Sequence, residues 1–518
     1  MTIPNALSPE LMAVVAAQGA NPVENPMVLP VGEPAVSVTH YGYDSDGPLI
    51  PAPGDVQTAT HQVEATKTEP DKNTYLVLRH QTGADPGYDY GTHFLFQGHE
   101  NGVRGGGTIT RINLDADAAH RVTVMAVADI AGKQLLPFDG STWDPFAQRL
   151  LFTSEAGPLG GVWQATLDVP SAVEDMAPSL GRGGYEEITN DSSGNVWIME
   201  DVSGAKGTVN RNARQPNSFL YRFVPRQAGD LHRGKLQALQ VISLRSGQPI
   251  AFHAGQADAD ILSDDVGDLH SFGKVFQTRW VTLHDTEVDG RAEFDANALA
   301  KAALATPFKR PENGAFRPGS QFREFVFDET GDTDIRTEAG SSFGGFGAIL
   351  SLTQSSPDAD HGTLRLVFRG DPVHTGLDNC AFWDDDHVVF VEDAGDTLHS
   401  QRNALDSAWL FDLRADYSRP ENRPLRILAE GRDPSATLDS GLGGAPGFQN
   451  DGDNEITGFH ISDGDPTLRG ILGAKSIQAL HRGARVFFTQ QHGENATWEI
   501  LARPTADRDG DDGDRDDR

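Results

Sequence analysis

Short apolar runs that end in acidic residues recur along the chain, and they predict β-strands. The run NVWIME (195–200) follows the polar turn DSSG (191–194), and the run HVVFVE (387–392) follows DDD (384–386). Strand-length apolar runs that begin after turn residues are typical of antiparallel hairpins. The pattern therefore predicts hairpins whose second strands end in carboxylates.

The two hairpins have acidic residues at matching positions. Glu186 precedes Glu200 by 14 residues, and Asp378 precedes Glu392 by 14 residues. Looser copies of the same apolar run end at Glu100, Glu155, Asp285, Glu329 and Gln490. The spacing between these strand ends is uneven, which indicates a repeat with insertions of different lengths.

A repeated antiparallel hairpin predicts an all-β fold, a β-propeller of about six blades with loop and short helical insertions. The clearest helix is DANALAKAALATP (295–307), with Asp295 as its N-cap. We expect residues 1–40 to form an N-terminal extension and residues 41–503 to form a single β-propeller domain. Residues 504–518 are acidic and without apolar side chains, and they predict a disordered tail.

In a propeller, equivalent strand ends from different blades meet at one mouth of the central channel, so carboxylates there form a cluster. Several carboxylates in one cluster cannot all stay ionised unless cations neutralise them. Oxygen ligands favour calcium. The predicted metal ligands are Glu100, Glu155, Glu186, Glu200, Asp201, Glu312, Asp378, Glu392, Asp393 and Glu455. For Asp201 and Asp393, capping of a turn is the alternative.

Charge and composition limit the partners. The 42 basic and 75 acidic residues give a formal net charge of −33, a field that repels nucleic acid and attracts cations. No apolar stretch is long enough for a membrane helix, and no export signal is found in the first twenty residues. The single cysteine, Cys380, excludes an intrachain disulfide. We expect a monomer that binds neither nucleic acid nor membrane.

The order of the motifs resembles the PhoX-type alkaline phosphatases, which are propeller phosphomonoesterases. Matching segments run from about residue 90 to residue 495, most of the chain. They are GHENG (98–102), GRGGYEEI (181–188), KRPENGAF (309–316), LDN with VED (377–393) and NEITGF with RVFFTQQHGEN (454–495).

The resemblance implies a small phosphorylated substrate, a periplasmic or secreted location, and a cluster that holds calcium and an oxide-bridged iron pair. Arg310 and Arg182 could bind a phosphoryl group bidentately, although pairing with the neighbouring Glu312 or Glu186 is the simpler alternative. His99 and His492 could be metal ligands or structural histidines. The family's iron-ligating cysteine has no counterpart in residues 136–155, which favours calcium over iron as the bound metal.

Three functions stay open on the sequence. The first is a metal-dependent phosphomonoesterase, and the second is another hydrolase on a calcium propeller, such as a lactonase. The third is a propeller that binds calcium without catalysis, since a fold does not fix a function.

Overall fold

The computed structural model describes residues 5–49, 54, 63–430, 455–491 and 495–504. The predicted tail, apart from residue 504, and His492 lie outside these ranges. The described chain consists mainly of antiparallel strands joined by turns and loops.

The N-terminal residues supply strands to sheets that the C-terminal part of the chain completes. The first four strands are β1 (Asn5–Leu7), β2 (Leu11–Ala17), β3 (Pro22–Val28) and β4 (Ser37–His40). Strands β3 and β4 pair with each other, whereas β1 and β2 join later sheets as edge strands. The segment 1–40, predicted as an extension, is thus partly built into the sheets.

The next two sheets are four-stranded, and each follows the order of the chain. The first contains β5 (Pro70–Val77), β6 (His93–His99), β7 (Thr108–Asn113) and β8 (Val122–Ala126). The second contains β9 (Ser141–Asp144), β10 (Arg149–Ser154), β11 (Gly161–Ala165) and β12 (Val173–Asp175).

The middle of the chain forms one nine-stranded sheet. Its strands are β13 (Tyr185–Asn190), β14 (Val196–Glu200), β15 (Leu220–Pro225), β16 (Gly234–Val241), β17 (Val275–Asp285), β18 (Gly314–Phe316), β19 (Glu324–Glu329), β20 (Ala348–Gln354) and β21 (His361–Arg369). The long strand β17 pairs with β16 on one side and with β21 on the other. It therefore joins the four strands β13–β16 to the four strands β18–β21.

The last two sheets take up the N-terminal strands. One contains β22 (Leu377–Phe382), β23 (His387–Glu392), β24 (Ser407–Asp412) and β25 (Leu425–Glu430), with β1 paired to β25. The other contains β26 (Glu455–Ser462), β27 (Arg485–Gln491) and β28 (Ala496–Ala502), with β2 paired to β28.

The described helices are short and lie in the connections. The α-helices are α1 (Ala177–Leu180), α2 (Ala257–Ile261), α3 (Asp264–Leu269), α4 (Ala296–Ala302) and α5 (Gly395–Arg402). Three single 3₁₀ turns are Val103–Gly105, Gly157–Leu159 and Ser341–Phe343. The predicted helix cap is confirmed, because the Asp295 side chain accepts from Ala298 N at the start of α4. None of the helices in the described ranges has the length and apolar character needed to cross a bilayer.

Strand β14 shows why the sheets stack on one another. Its Val196 and Ile198 side chains pack into a core with the second four-stranded sheet, whereas Trp197 and Met199 pack into a core with β19 and β20. Both faces of the strand are buried, and each such side chain contributes about 1.5–3 kcal/mol. A sheet that buries both faces against neighbouring sheets is the packing expected within a propeller.

The first strands of successive sheets surround a central channel. Strand β5 lies against β9 and β26, β13 lies against β9, and β22 lies against β18 and β26. The prediction of an all-β, propeller-like arrangement is thereby confirmed. The starts of these first strands meet at one mouth of the channel, where the candidate site is found.

Candidate metal centre

A β-bulge recurs at the start of the first strands. The pairing of β5 with β6 skips Asp71 and Lys72, and the pairing of β13 with β14 skips Glu186 and Glu187. The pairing of β22 with β23 skips Asp378 in the same way. A bulge inserts extra residues and re-aims their side chains. In three sheets the bulge places a carboxylate at the channel mouth.

The start of β9 has no bulge in its pairing, and a glycine brings its acidic residue to the same place. Gly140 N donates to the carbonyl of Glu186 (2.9 Å), so β9 and β13 touch at this point. A Cβ on Gly140 would lie 2.2 Å from that carbonyl oxygen. Only glycine permits this approach, which sets Asp139 beside Glu186.

Five carboxylates form two triplets at the mouth. Oxygens of Asp71, Glu100 and Asp139 lie within 4.8 Å of one another, and so do oxygens of Asp139, Glu155 and Glu186. Asp139 belongs to both triplets. Its Oδ2 accepts from Glu155 N (3.0 Å), whereas its buried Oδ1 has no hydrogen-bond partner among the described residues. Each triplet could hold one cation, with Asp139 between the two.

The pKa values of the buried members show how strongly the triplets need positive charge. Burial raises the pKa of Asp71, Asp139 and Glu186 well above the ordinary range, and neighbouring carboxylates raise each pKa further. The charge of Glu100 is the largest such neighbour effect on Asp71 and Asp139. A group of this kind is destabilised when all its members are ionised, unless cations are present.

Glu155 is exposed at the rim of the mouth. Its pKa is nevertheless raised, first because surrounding protein displaces water and then because of the negative charge of Asp201. We attribute the shift mainly to crowding by carboxylates, since water still reaches the side chain.

Arg310 is a positive group next to the triplet that contains Glu155. Its Nε donates to Asp201 (2.9 Å), and its Nη2 donates to Asp201 (2.6 Å) and lies 3.0 Å from Glu312 Oε1. Burial opposes the charged form, but Asp201 and Glu312 hold the pKa of Arg310 well above its ordinary value. The residue has φ 60°, a left-handed conformation that is rare outside glycine and is retained by a hydrogen bond from Thr330 N to its carbonyl (2.8 Å).

Four further predicted ligands interact around Arg310. Burial and then the charge of Asp393 raise the pKa of Asp378 to about 7. Burial also raises the pKa of Glu312, where the charges of Asp201, Asp378 and Asp393 act in the same direction and Arg310 opposes them. The structure thus brings Glu100, Glu155, Glu186, Asp201, Glu312, Asp378 and Asp393 to one mouth.

The structure does not bring Glu200 into this group. Its Oε2 accepts from the Tyr221 hydroxyl (2.9 Å), from Asn297 Nδ2 (3.0 Å) and from Phe219 N (3.2 Å). Burial raises the pKa of Glu200 to about 8. The prediction treated Glu200 as the equivalent of Glu100, but β6 ends at His99 and β14 ends at Glu200, so Asp201 is the residue that corresponds to Glu100.

Glu392 is turned away from the mouth for the same reason. Arg402 Nη1 (3.1 Å) and Ser407 N (3.0 Å) donate to its carboxylate. Successive side chains of a strand face opposite sides, so a shift of one residue changes which acid reaches the channel. Asp201 and Asp393, which directly follow Glu200 and Glu392, occupy the channel side.

Of three other predicted site residues, Arg182 and His99 have structural partners, and Glu455 lies at the start of a first strand. Arg182 forms ion pairs with Asp175 (2.5 Å) and Glu293 (2.8 Å) and lies over the Trp163 ring. The ring of His99 is held between two hydroxyls, those of Thr68 and Thr110 (2.8 Å each), and burial lowers its pKa to about 3. Glu455 begins β26 opposite Gln491, at a start equivalent to those of the other first strands.

Asp71 and Asp139 are the ligand candidates that the sequence analysis missed. Asp71 lies in EPDKNTY (69–75), and Asp139 lies in LPFDGSTW (136–143). Each is an acidic residue at the start of a first strand, as Glu186 and Asp378 are. A search for the strand that precedes each acid-ended strand would have found both.

The donor chemistry suits calcium and does not suit a thiolate-ligated iron. All atoms that converge in the triplets are carboxylate oxygens, the ligands of a hard cation. Cys380 belongs to neither triplet, and its Sγ donates to Asn313 Oδ1 (3.4 Å). Burial raises the pKa of this thiol and keeps it neutral.

Comparison with known proteins gives only distant structural similarity. No family model matches the chain, and no curated protein matches it. Similar solved structures include an α-L-arabinofuranosidase from Podospora anserina, with 8% identity and a TM-score of 0.29 over 89% of this chain and 95% of that chain. The Dos1 propeller has 9% identity and a TM-score of 0.31 over 96% of this chain and 90% of that chain. At these scores the fold assignment depends on the sheet topology described above.

Proposed function

We propose that the protein is a metal-dependent phosphomonoesterase whose active site is the carboxylate cluster at the channel mouth. The observation that carries the proposal is that Asp139 belongs to both carboxylate triplets. The charge of Arg310 acts on Glu155, a member of the second triplet. A pair of adjacent cations with an arginine is an arrangement suited to the charge of a phosphoryl group.

The scaffold of the proposal is a propeller of about six blades. The nine-stranded sheet is counted as two blades, β13–β16 and β18–β21, that are joined by β17. With this count, every blade begins with a first strand at the channel. An acidic residue then lies within the first two residues of each first strand or two residues before it: Asp71, Asp139, Glu186, Glu312, Asp378 and Glu455.

Calcium is the proposed resident cation. Asp71, Glu100, Asp139, Glu155 and Glu186 would hold it, because their oxygens converge and lack sufficient positive charge. When bound, calcium would neutralise phosphoryl oxygens and polarise the ester toward hydrolysis. These carboxylates serve as ligands and not as proton carriers, since a ligand must stay ionised.

Arg310 would orient the phosphoryl group. Its Nε and Nη2 are used by Asp201 and Glu312, and none of the hydrogen bonds in the described ranges uses Nη1. That remaining donor would contact one phosphoryl oxygen, while the two carboxylates fix the plane of the guanidinium. Arg182 has no part in this proposal, because its partners are Asp175 and Glu293.

The same contacts of Arg310 favour a second candidate, a propeller that binds calcium without catalysis. A guanidinium whose N–H donors already bind carboxylates has fewer donors left for a substrate than an unpaired guanidinium has. In that case Arg310 would serve only to balance the charge of Asp201 and Glu312.

Hydrolysis of a generic phosphate monoester, p-nitrophenyl phosphate, separates the two candidates. Protein stripped with chelator should be inactive and should regain activity with calcium, and Asp139→Asn should lose both calcium and activity. Calcium binding without hydrolysis across pH 6–10, also after supplementation with iron, would reject the phosphatase and leave the binding propeller.

A further inference from the structure

Beneath the carboxylate cluster lies a second layer of polar side chains, one residue further along each strand. Lys72 follows Asp71, Glu187 follows Glu186, and Asn313 follows Glu312. We call Lys72, Glu187 and Asn313 the bracing layer.

The three side chains of the bracing layer bind one another directly. Lys72 Nζ donates to Glu187 Oε2 (2.8 Å) and to Asn313 Oδ1 (3.1 Å), and Asn313 Nδ2 donates to Glu187 Oε2 (2.8 Å). The Lys72 and Glu187 side chains are only 7% and 5% exposed. Every pair within the layer is therefore hydrogen-bonded and shielded from water.

The bracing layer connects strands that do not pair with each other. Lys72 lies on β5 and Glu187 on β13, and β9 stands between these strands in the ring around the channel. Asn313 directly precedes β18. The contact between Lys72 and Glu187 thus crosses the channel and ties together two bulges whose other residues are Asp71 and Glu186.

Below the layer, the hydroxyls of Thr74 and Ser141 (2.8 Å) join β5 to the neighbouring strand β9, and none of the hydrogen bonds between described residues there joins β5 to β13. The cavity below the layer has a volume of about 90 Å³ and is lined, beside Lys72 and Glu187, by residues further along the first strands, among them Thr74, Ser141 and Thr189. Asp71 and Glu186 belong to different triplets, and Asp139 lies between them. Among the described residues, the hydrogen bond between Lys72 and Glu187 beneath them is the one that joins β5 directly to β13.

We propose that the bracing layer is a positioning device that holds Asp71 and Glu186 at the separation required for cation binding at both triplets. This inference rests on the proposed calcium site. Repulsion between the carboxylates of the cluster drives the two bulges apart, and the ion pair between Lys72 and Glu187 opposes that movement. Asn313 fixes the position of both charged groups and extends the support to the segment that carries Glu312.

The test is calcium titration calorimetry on the double variant Lys72→Met/Glu187→Met, after removal of metal by chelator. The double substitution leaves the net charge unchanged, so a change in affinity does not come from a change in the net charge of the protein. Replacement of a buried ion pair by apolar side chains of similar volume is often neutral for stability. We expect the variant to fold and to bind calcium at least tenfold more weakly than the wild type.

The matched control is Arg485→Met/Glu499→Met, which removes an ion pair (2.6 Å) between β27 and β28 without touching a ligand-bearing bulge. This control should keep wild-type calcium affinity. If the Lys72→Met/Glu187→Met variant fails to fold, Asn313→Ala replaces it as the test. That variant changes no charge and should weaken calcium binding about threefold or more.

Wild-type calcium affinity in a folded Lys72→Met/Glu187→Met variant, or in Asn313→Ala, would overturn the inference and leave the proposed function intact. Loss of affinity in these variants, together with an enzyme that hydrolyses no phosphate ester, would support the inference and reject the phosphatase. Absence of calcium binding in the wild type would reject both.

Discussion

Glu200 and Asp201 are consecutive residues, yet their carboxylates bind different parts of the molecule. Glu200 accepts from Tyr221 and Asn297 behind the strand end, whereas Asp201 binds Arg310 at the channel mouth. The same division holds for Glu392, which binds Arg402, and Asp393, whose charge acts on Asp378. In each pair the first acid stabilises the fold and the second is available to the site.

This division predicts opposite effects for two neighbouring substitutions. Asp201→Asn should weaken calcium binding, about tenfold or more, because it removes charge at the mouth and releases Arg310. Glu200→Gln should leave calcium affinity unchanged, since burial already keeps Glu200 largely neutral at pH 7. Calorimetric titration of both variants is the measurement. Equal losses in the two variants would contradict the assignment.

Much of the fold follows from the sequence because its signals are local. Apolar runs, turn residues and the Asp295 cap predict strands and a helix that the structure contains. The side of the sheet on which Glu200 and Glu392 lie depends on the strand register and on the bulges. The 14-residue spacing from Glu186 to Glu200 and from Asp378 to Glu392 determines neither. Asp71 and Asp139 were missed because neither ends an apolar run; they lie at the starts of first strands, and the meeting of β5, β9 and β13 brings them together.

The contrast between two arginines gives a second prediction. Arg310→Lys should lower turnover of a phosphate ester by about tenfold or more with little change in bound calcium. The planar guanidinium can donate to Asp201, Glu312 and a substrate at the same time, and the compact ammonium of lysine cannot. Arg182→Lys is the matched control and should keep wild-type turnover, because Arg182 binds Asp175 and Glu293. Steady-state kinetics on both variants measure the effect. A wild-type rate for Arg310→Lys would remove Arg310 from substrate recognition.

The close approach of β9 and β13 gives a third prediction. Gly140→Ala places a methyl group 2.2 Å from the Glu186 carbonyl and 2.6 Å from Thr153 Oγ1, so the strands must separate. We expect a loss of about 1–3 kcal/mol in the free energy of unfolding, together with weaker calcium binding because Asp139 and Glu186 move apart. Gly32→Ala, whose added Cβ meets only the Arg104 side chain at 3.3 Å, is the control. Urea unfolding and calcium titration of both variants test this, and unchanged values for Gly140→Ala would refute it.

A fourth prediction concerns acid stability. Burial, aided by the charge of Lys72, lowers the pKa of His460 to about 3, and its Nε2 accepts from Tyr75 N (3.3 Å). The unfolded chain binds a proton at this residue near pH 6.5, whereas the folded chain does not until about pH 3. Stability from His460 is therefore present above pH 6.5 and is lost as the pH falls, at about 1.4 kcal/mol per pH unit.

Urea unfolding of the wild type and of His460→Gln, at several pH values between 7 and 4, measures this effect. Glutamine retains an acceptor but does not titrate, so the stability of the variant should rise relative to the wild type as the pH falls. A difference between the two proteins that is independent of pH would contradict the assignment.

The central claim is that the carboxylates around Asp139 bind divalent cations. Its most direct measurement is thermal unfolding of the metal-stripped wild type and Asp139→Asn, each with calcium and with chelator. Binding to the folded state alone stabilises the wild type by about 2.7 kcal/mol at a calcium concentration of 100 times Kd. We predict a higher Tm with calcium for the wild type, and a much smaller shift for Asp139→Asn because both triplets lose their shared ligand. Identical Tm values for the wild type with calcium and with chelator would contradict the account.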